Sequence, residues 1–164
     1  MKKLLLILLC LPMIGFGQIS RSVEMKGMLE AHNKFRSEIG VNKLEWSNRL
    51  AKNALKWANI LKKKCSNNLK HSPKKYRKGF GENLALYINQ TVEASDVVEY
   101  WATEKECFNF ATKKCVNNCL CGHYTQIIWR NTTEVGCAVV QCEDKQIWVC
   151  QYSPAGNWVG EEVY

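Results

Sequence analysis

Three groups of side chains in this sequence carry reactive chemistry: nine cysteines, the three histidines His32, His71 and His123, and a carboxylate in unusual company. Thiolates attack electrophiles and bind soft metals, whereas imidazoles move protons and bind zinc-like cations. The carboxylate is Glu104. Ala94, Val97, Val98 and Trp101 recur at the spacing of one helix face, and Glu104 falls three residues further along the same apolar stripe. A carboxylate placed there needs a partner, and histidine is a suitable one. Ser72 adjoins His71, but neighbours in sequence seldom form a proton-transfer pair. There is no G-x-S-x-G elbow, no H-E-x-x-H helix and no P-loop. Cys115, Cys119 and Cys121 are crowded enough to raise a zinc site, yet no paired C-x-x-C accompanies them.

The fate of the thiols depends on the compartment. Lys2 and Lys3 precede an apolar run from Leu4 to Ile14, followed by Gly15, Phe16 and Gly17. This has the form of a secretory signal peptide over residues 1–17, cleaved near Gly17–Gln18 and taking Cys10 with it. The run is too short to span a bilayer. No later stretch approaches spanning length, so a soluble, secreted, extracellular protein is expected. Residues 18–164 then form one domain, large enough for a substantial core. Eight cysteines remain, an even number in an exported chain, so disulfides are the expectation. Eight cysteines allow on the order of a hundred pairings, and spacing does not choose among them.

The formal charge of the chain is +8, and +6 without Lys2 and Lys3. Eleven lysines or arginines and no acid lie between Glu45 and Glu82, with the densest run over 62–78. Such a region favours an anionic surface such as phospholipid, cell-wall polymer or acidic glycan, although a solvated loop is the simpler reading. Export argues against a nucleic-acid partner.

The elements that hold these residues are partly visible. Val23 to Ile39 carries Met25, Met28, Leu29, His32, Phe35 and Ile39 at helical spacing and stops at Gly40. His32 lies on that stripe, where a structural, hydrogen-bonded role is expected. Ser47 is positioned to cap a second helix whose face holds Leu50, Ala54, Trp57, Ala58 and Leu61. Asn67 to Gly81 reads as loop, Thr91 as the cap of a third helix, and residues 107–122 as a cysteine-dense loop. Gly136–Cys142 and Gln146–Tyr152 read as strands joined through Glu143, Asp144 and Lys145. Helices followed by late antiparallel strands suggest α+β, with the layer order left open.

Four segments together carry a resemblance. They are His32-Asn33-Lys34-Phe35-Arg36, Gly81-Glu82-Asn83-Leu84, Gly122-His123-Tyr124-Thr125-Gln126-Ile127-Ile128-Trp129, and Cys150-Gln151-Tyr152-Ser153-Pro154-Ala155-Gly156-Asn157-Trp158. They resemble, in order and separation, the H-N-x-x-R, G-E-N-L turn, G-H-Y-T-Q and C-x-Y-x-P-x-G-N signatures of the CAP superfamily (cysteine-rich secretory proteins, antigen 5, pathogenesis-related 1). The likeness is nearest to the plant pathogenesis-related 1 branch and spans nearly all of the mature chain. It implies a disulfide-stapled three-layer α-β-α sandwich of the CAP (SCP) domain. It implies the bridges Cys65–Cys142, Cys115–Cys121 and Cys137–Cys150, and leaves Cys107 and Cys119 as a fourth.

The resemblance also implies a cavity tetrad of His71, Glu82, Glu104 and His123, with His71 and His123 as ligands for zinc or another divalent cation. Carboxylates suit that role by orienting ligating imidazoles. A bare hydrogen-bonded network that ties loops together stands beside the metal reading. Two imidazoles and two carboxylates offer acid–base groups and a metal-activated water, but no nucleophile accompanies them, so the sequence leans away from catalysis. Relatives that bind sterols or other lipids make Phe108 and Phe110 candidate contacts, although Cys115 stands where a caveolin-type spacing wants an aromatic. Relatives also suggest defence or host-interaction roles, proteolysis, and release of a C-terminal peptide. Pro154 to Tyr164 matches that peptide in its start and length, with Val163 departing from its pattern. Asn89 and Asn131 lie in N-x-T sequons.

Overall fold

The computed structural model describes residues 25–77 and 79–164. The segment read as a signal peptide, with Cys10, and Lys78 of the basic run lie outside the described residues. Helix α1 spans Met28–Glu38 and buries Met28, Ala31, His32, Phe35 and Arg36. Its stripe follows the sequence pattern but starts after Gly27, whose φ of 84° is left-handed. Strand β1, Glu45–Trp46, leads into α2, Asn48–Lys64, which buries the five apolar residues its pattern marks. Ser47 precedes α2, but its side chain makes no capping bond, correcting that expectation. Its backbone N–H is instead engaged by Val135 O at 2.8 Å, so strand pairing fixes this residue.

A single helical turn, α3 (Lys74–Arg77), interrupts the stretch read as loop. Strand β2 runs from Gly81 to Ile88, so Glu82-Asn83-Leu84 opens a strand and is not a turn. Helix α4, Ala94–Ala102, starts after Glu93 and not at Thr91. The backbone N–H of Glu93 donates to the Asp96 carboxylate at 3.0 Å, a bond that Thr91 is too far upstream to make. A 3₁₀ turn covers Thr103–Cys107, and the two-residue strands β3 (Phe108–Asn109) and β4 (Lys114–Cys115) pair within the cysteine-dense loop. Helix α5, Gly122–Ile128, precedes the long strands β5, Glu134–Cys142, and β6, Lys145–Ser153. Lys145 pairs with Cys142, so the connection is a two-residue turn and Lys145 belongs to the strand.

The main sheet has the order β1-β5-β6-β2, parallel between β1 and β5 and antiparallel elsewhere. Successive strand residues face opposite sides. Ile147 and Val149 of β6, Leu84 of β2 and Ala138 of β5 pack with Ala54, Trp57, Ala58 and Leu61 of α2. Trp148, Cys150 and Tyr152 of β6 pack with Val97 and Trp101 of α4 and Ile127 of α5 on the other side, joined by Phe35 of α1. This is the three-layer α-β-α sandwich that the resemblance implies. A large apolar side chain buried in either interface stabilises by about 1.5–3 kcal/mol. Strand β5 and helix α2 approach closely at Gly136, where a Cβ would collide with the Ser47 carbonyl oxygen and the Ala51 amide nitrogen of α2.

Four disulfides join Cys65–Cys142, Cys107–Cys119, Cys115–Cys121 and Cys137–Cys150. The first ties the end of α2 to the end of β5, and the last crosses between paired residues of β5 and β6. The other two close the loop that delivers α5.

Candidate functional site

Glu82 is the second residue of β2, an edge strand, and its register partner is Gln151. Its side chain is fully buried, which works to raise the carboxyl pKa. Four hydrogen bonds outweigh that penalty and hold the group below the usual carboxylate value. They come from His71 Nδ1 at 2.9 Å, Ser72 N at 2.8 Å, Ser72 Oγ at 2.6 Å and Gln151 Nε2 at 3.1 Å. A carboxylate accepts, so His71 presents Nδ1–H to Glu82. The His71 side chain is 53% exposed while Glu82 is enclosed, so the imidazole is held at its root and open at its tip.

Glu104 and His123 repeat the arrangement. Helix α4 stops at Ala102, and Glu104 therefore lies in the 3₁₀ turn and not on a continued helical stripe. The turn brings the carboxylate to the start of α5. There it accepts from His123 Nδ1 at 2.6 Å, His123 N at 2.7 Å and Tyr124 N at 3.3 Å. Burial again pushes Glu104 up, and the His123 side-chain bond and charge, with the two backbone donors, bring it below its ordinary value. The Trp101 ring stacks on the His123 imidazole at 6.0 Å between centroids. Among the described residues, neither His71 Nε2 nor His123 Nε2 has a hydrogen-bond partner.

The four residues expected to line one cavity thus stand as two histidine–glutamate pairs, His71 with Glu82 and His123 with Glu104. Asn83 connects them. It follows Glu82 and points to the other face of β2, where its Nδ2 donates to His123 O at 3.1 Å and Tyr152 Oη at 3.2 Å. Tyr152 Oη reaches His32 Nε2 at 2.9 Å, and His32 Nδ1 donates to Met28 O at 2.7 Å. His32 is fully buried and has the structural role expected of it. Among the described residues, no three or more of His, Cys, Asp and Glu are grouped to hold a metal ion. Asn83, Gln151 and Tyr152 are not singled out by the sequence reading, which names Ser72 only as a serine beside His71 and Trp101 only as part of the apolar stripe. Asn83, Gln151 and Tyr152 lie inside the quoted motifs, which was the available signal.

Other candidates are placed as follows. Phe108 is 4% exposed and meets Phe110 and Tyr124 edge-on, whereas Phe110 is 47% exposed. Ser72 is buried, with its hydroxyl given to Glu82. The C-terminal residues are held in place. Arg130 N donates to Val163 O at 2.7 Å, Lys113 Nζ to Tyr164 O at 2.8 Å, and Val163 is buried. No helix among the described residues is long and apolar enough to cross a membrane.

Residues 29–152 match the family model described as "CAP: Cysteine-rich secretory protein family". The chain is 41% identical over 137 residues to pathogenesis-related protein 1A of Nicotiana tabacum, covering 83% of this chain and 78% of that protein. It is 36% identical over 161 residues to pathogenesis-related leaf protein 4 of Solanum lycopersicum, covering 97% of this chain and 96% of that protein. Among solved structures, Na-ASP-1 superposes with a TM-score of 0.69 at 26% identity, over 87% of this chain and 41% of that chain. A structure of NaASP2 with Zn2+ gives a TM-score of 0.70 at 24% identity, over 90% of this chain and 88% of that one, a likeness of fold alone.

Proposed function

This chain belongs to the cysteine-rich secretory protein family, and from that premise we propose that it is an exported binding module of the pathogenesis-related 1 type. Its role is in defence or in dealings with a host or surroundings, and it offers His71 and His123 to a divalent cation such as zinc. The observation that carries this reading is the pairing of each imidazole, through Nδ1, with a glutamate that accepts several further hydrogen bonds. Ligating histidines are commonly oriented in this way by an outer carboxylate. The donor chemistry fits a cation at Nε2. The shell falls short of the three protein ligands that a catalytic zinc takes, so the remaining positions belong to water or to a bound partner.

We assign no catalytic step. The Ser72 hydroxyl is enclosed and directed at Glu82, and the eight cysteines of the described chain are bridged. Elemental analysis after dialysis against excess zinc tests the proposal. Retained zinc that falls in His71→Ala and in His123→Ala is expected. Wild-type protein that emerges metal-free overturns it.

Extracellular sterol or lipid binding is the second reading. It is favoured by Phe110, Val116 and Leu120, all exposed in one disulfide-bounded loop, while Phe108 anchors that loop from inside. Sterol affinity that drops in Phe110→Ser supports it, and unchanged affinity counts against it.

A further inference from the structure

Helix α2 turns a row of lysines to solvent. Its buried residues centre on Ala54, Trp57 and Leu61. At about 3.6 residues per turn, Lys52, Lys56 and Lys63 fall on the opposite side, within about 60° of one another. All three are exposed. The chain beyond α2 extends the same surface. Trp57 Nε1 donates to Lys70 O at 3.0 Å, and Asn53 Nδ2 donates to Tyr76 O at 2.7 Å, so the loop is fastened to the flank of the helix. Lys70, Lys74 and Lys75 are exposed there. No acid lies between Glu45 and Glu82, and among the described residues none of these six lysines makes an ion pair. The opposite helical layer differs: Glu30, Glu38, Asp96 and Glu99 are exposed on α1 and α4, and Lys34 is paired with Glu99 at 2.7 Å. The unneutralised positive charge is thus concentrated on one layer.

The chemistry of the patch selects among anions. A bilayer-docking face combines cations with apolar side chains that enter the interface. Among the described residues, the exposed large apolar ones are Ile88, Tyr100, Phe110, Val116, Leu120, Trp158 and Val159, and none belongs to α2 or to the loop fastened to it. Lysine is a compact, hydrated point charge without the arginine fork that clamps a carboxylate or a phosphate in fixed geometry, so the row fits charges repeated along a flexible chain and not one clamped anion. The row from Lys52 to Lys63 is straight and about 16 Å long, at about 1.5 Å per residue. We propose that this face is the docking surface for a linear carboxylated polysaccharide of the polyuronate class, laid along α2. It uses none of the histidines or glutamates of the paired site, so the two proposals fail separately.

The test measures binding of the folded chain to polygalacturonate in EDTA at low and moderate salt. Lys52→Gln, Lys56→Gln and Lys63→Gln combined is compared with Lys26→Gln, Lys43→Gln and Lys114→Gln, an equal loss of charge at exposed lysines elsewhere. The proposal expects saturable, salt-sensitive binding, weakened roughly tenfold or more by the α2 triple change and much less by the control. Equal loss in both variants reduces the effect to net charge and overturns it. So does absence of saturable binding, or stronger binding to phosphatidylglycerol vesicles or duplex DNA at the same salt.

Discussion

His32 shows how one buried side chain sets a pH limit. Its Nδ1–H is committed to Met28 O, and its Nε2 faces Tyr152 Oη, which accepts from Asn83 Nδ2 and so has its proton free for the imidazole. That tautomer is neutral, and a second ring proton would leave two donors facing each other. Burial, opposed by the Met28 bond and reinforced by the nearby Arg36 charge, lowers the His32 pKa from 6.5 to about 4. The unfolded chain therefore binds this proton first. Stability is complete above the unfolded value and is lost as pH falls from about 6.5 through about 4, by ~3 kcal/mol in total. Denaturant unfolding at pH 7, 5.5 and 4 should show this loss, and His32→Gln should flatten it over that window. A wild-type curve as flat as the variant's would remove His32 as the cause. Arg36, its neighbour one turn on, is legible in the sequence only as part of a motif. In the structure its buried guanidinium donates to the carbonyls of Asn42, Ile127, Trp129 and Thr132, and among the described residues it makes no ion pair.

At the scale of elements, close backbone approach decides what substitution is tolerated. Gly136 lies under the first turn of α2, against backbone atoms that have no rotamer to yield. Gly136→Ala should destabilise by about 1–3 kcal/mol or more through overpacking. Gly40→Ala meets no atom within 4 Å and should cost only about 1 kcal/mol for its left-handed φ of 72°. A chemical denaturation series separates the two, and equal costs would show that the layers give way at Gly136. Helices α1 and α2 were legible because one face is core and the other water. Strand β2 was not, since Gly81 to Ala85 is buried on both faces and shows no alternation, and a polar Glu-Asn pair at its start imitates a turn. Helix α5 has only seven residues and five of them are buried, too short and too enclosed for a period to emerge.

For the molecule as a whole, α+β was legible in the element pattern, but the layer order and the pairing of the cysteines were accessible only through the resemblance, because cysteine spacing allows many pairings. The Cys65–Cys142 bridge joins positions 77 apart in sequence, a contact with no local trace. The sequence reading names these four side chains, His71, Glu82, Glu104 and His123, but their division into two histidine–glutamate pairs was not legible there. What the linear order hides is the alternation of a strand, which sends Glu82 toward α2 and Asn83 toward α4 and α5.

That alternation has a consequence for how the chain tolerates change. Glu82 and Asn83 are separated by one peptide bond, yet each supports a different histidine, so inserting or deleting one residue at the head of β2 would exchange carboxylate and amide between the faces and spoil both pairs together. The eight rungs that fasten β2 to β6 guard against such a slip. Length variation among natural homologues should therefore collect in the connection after Ile88 and spare the segment from His71 to Leu84.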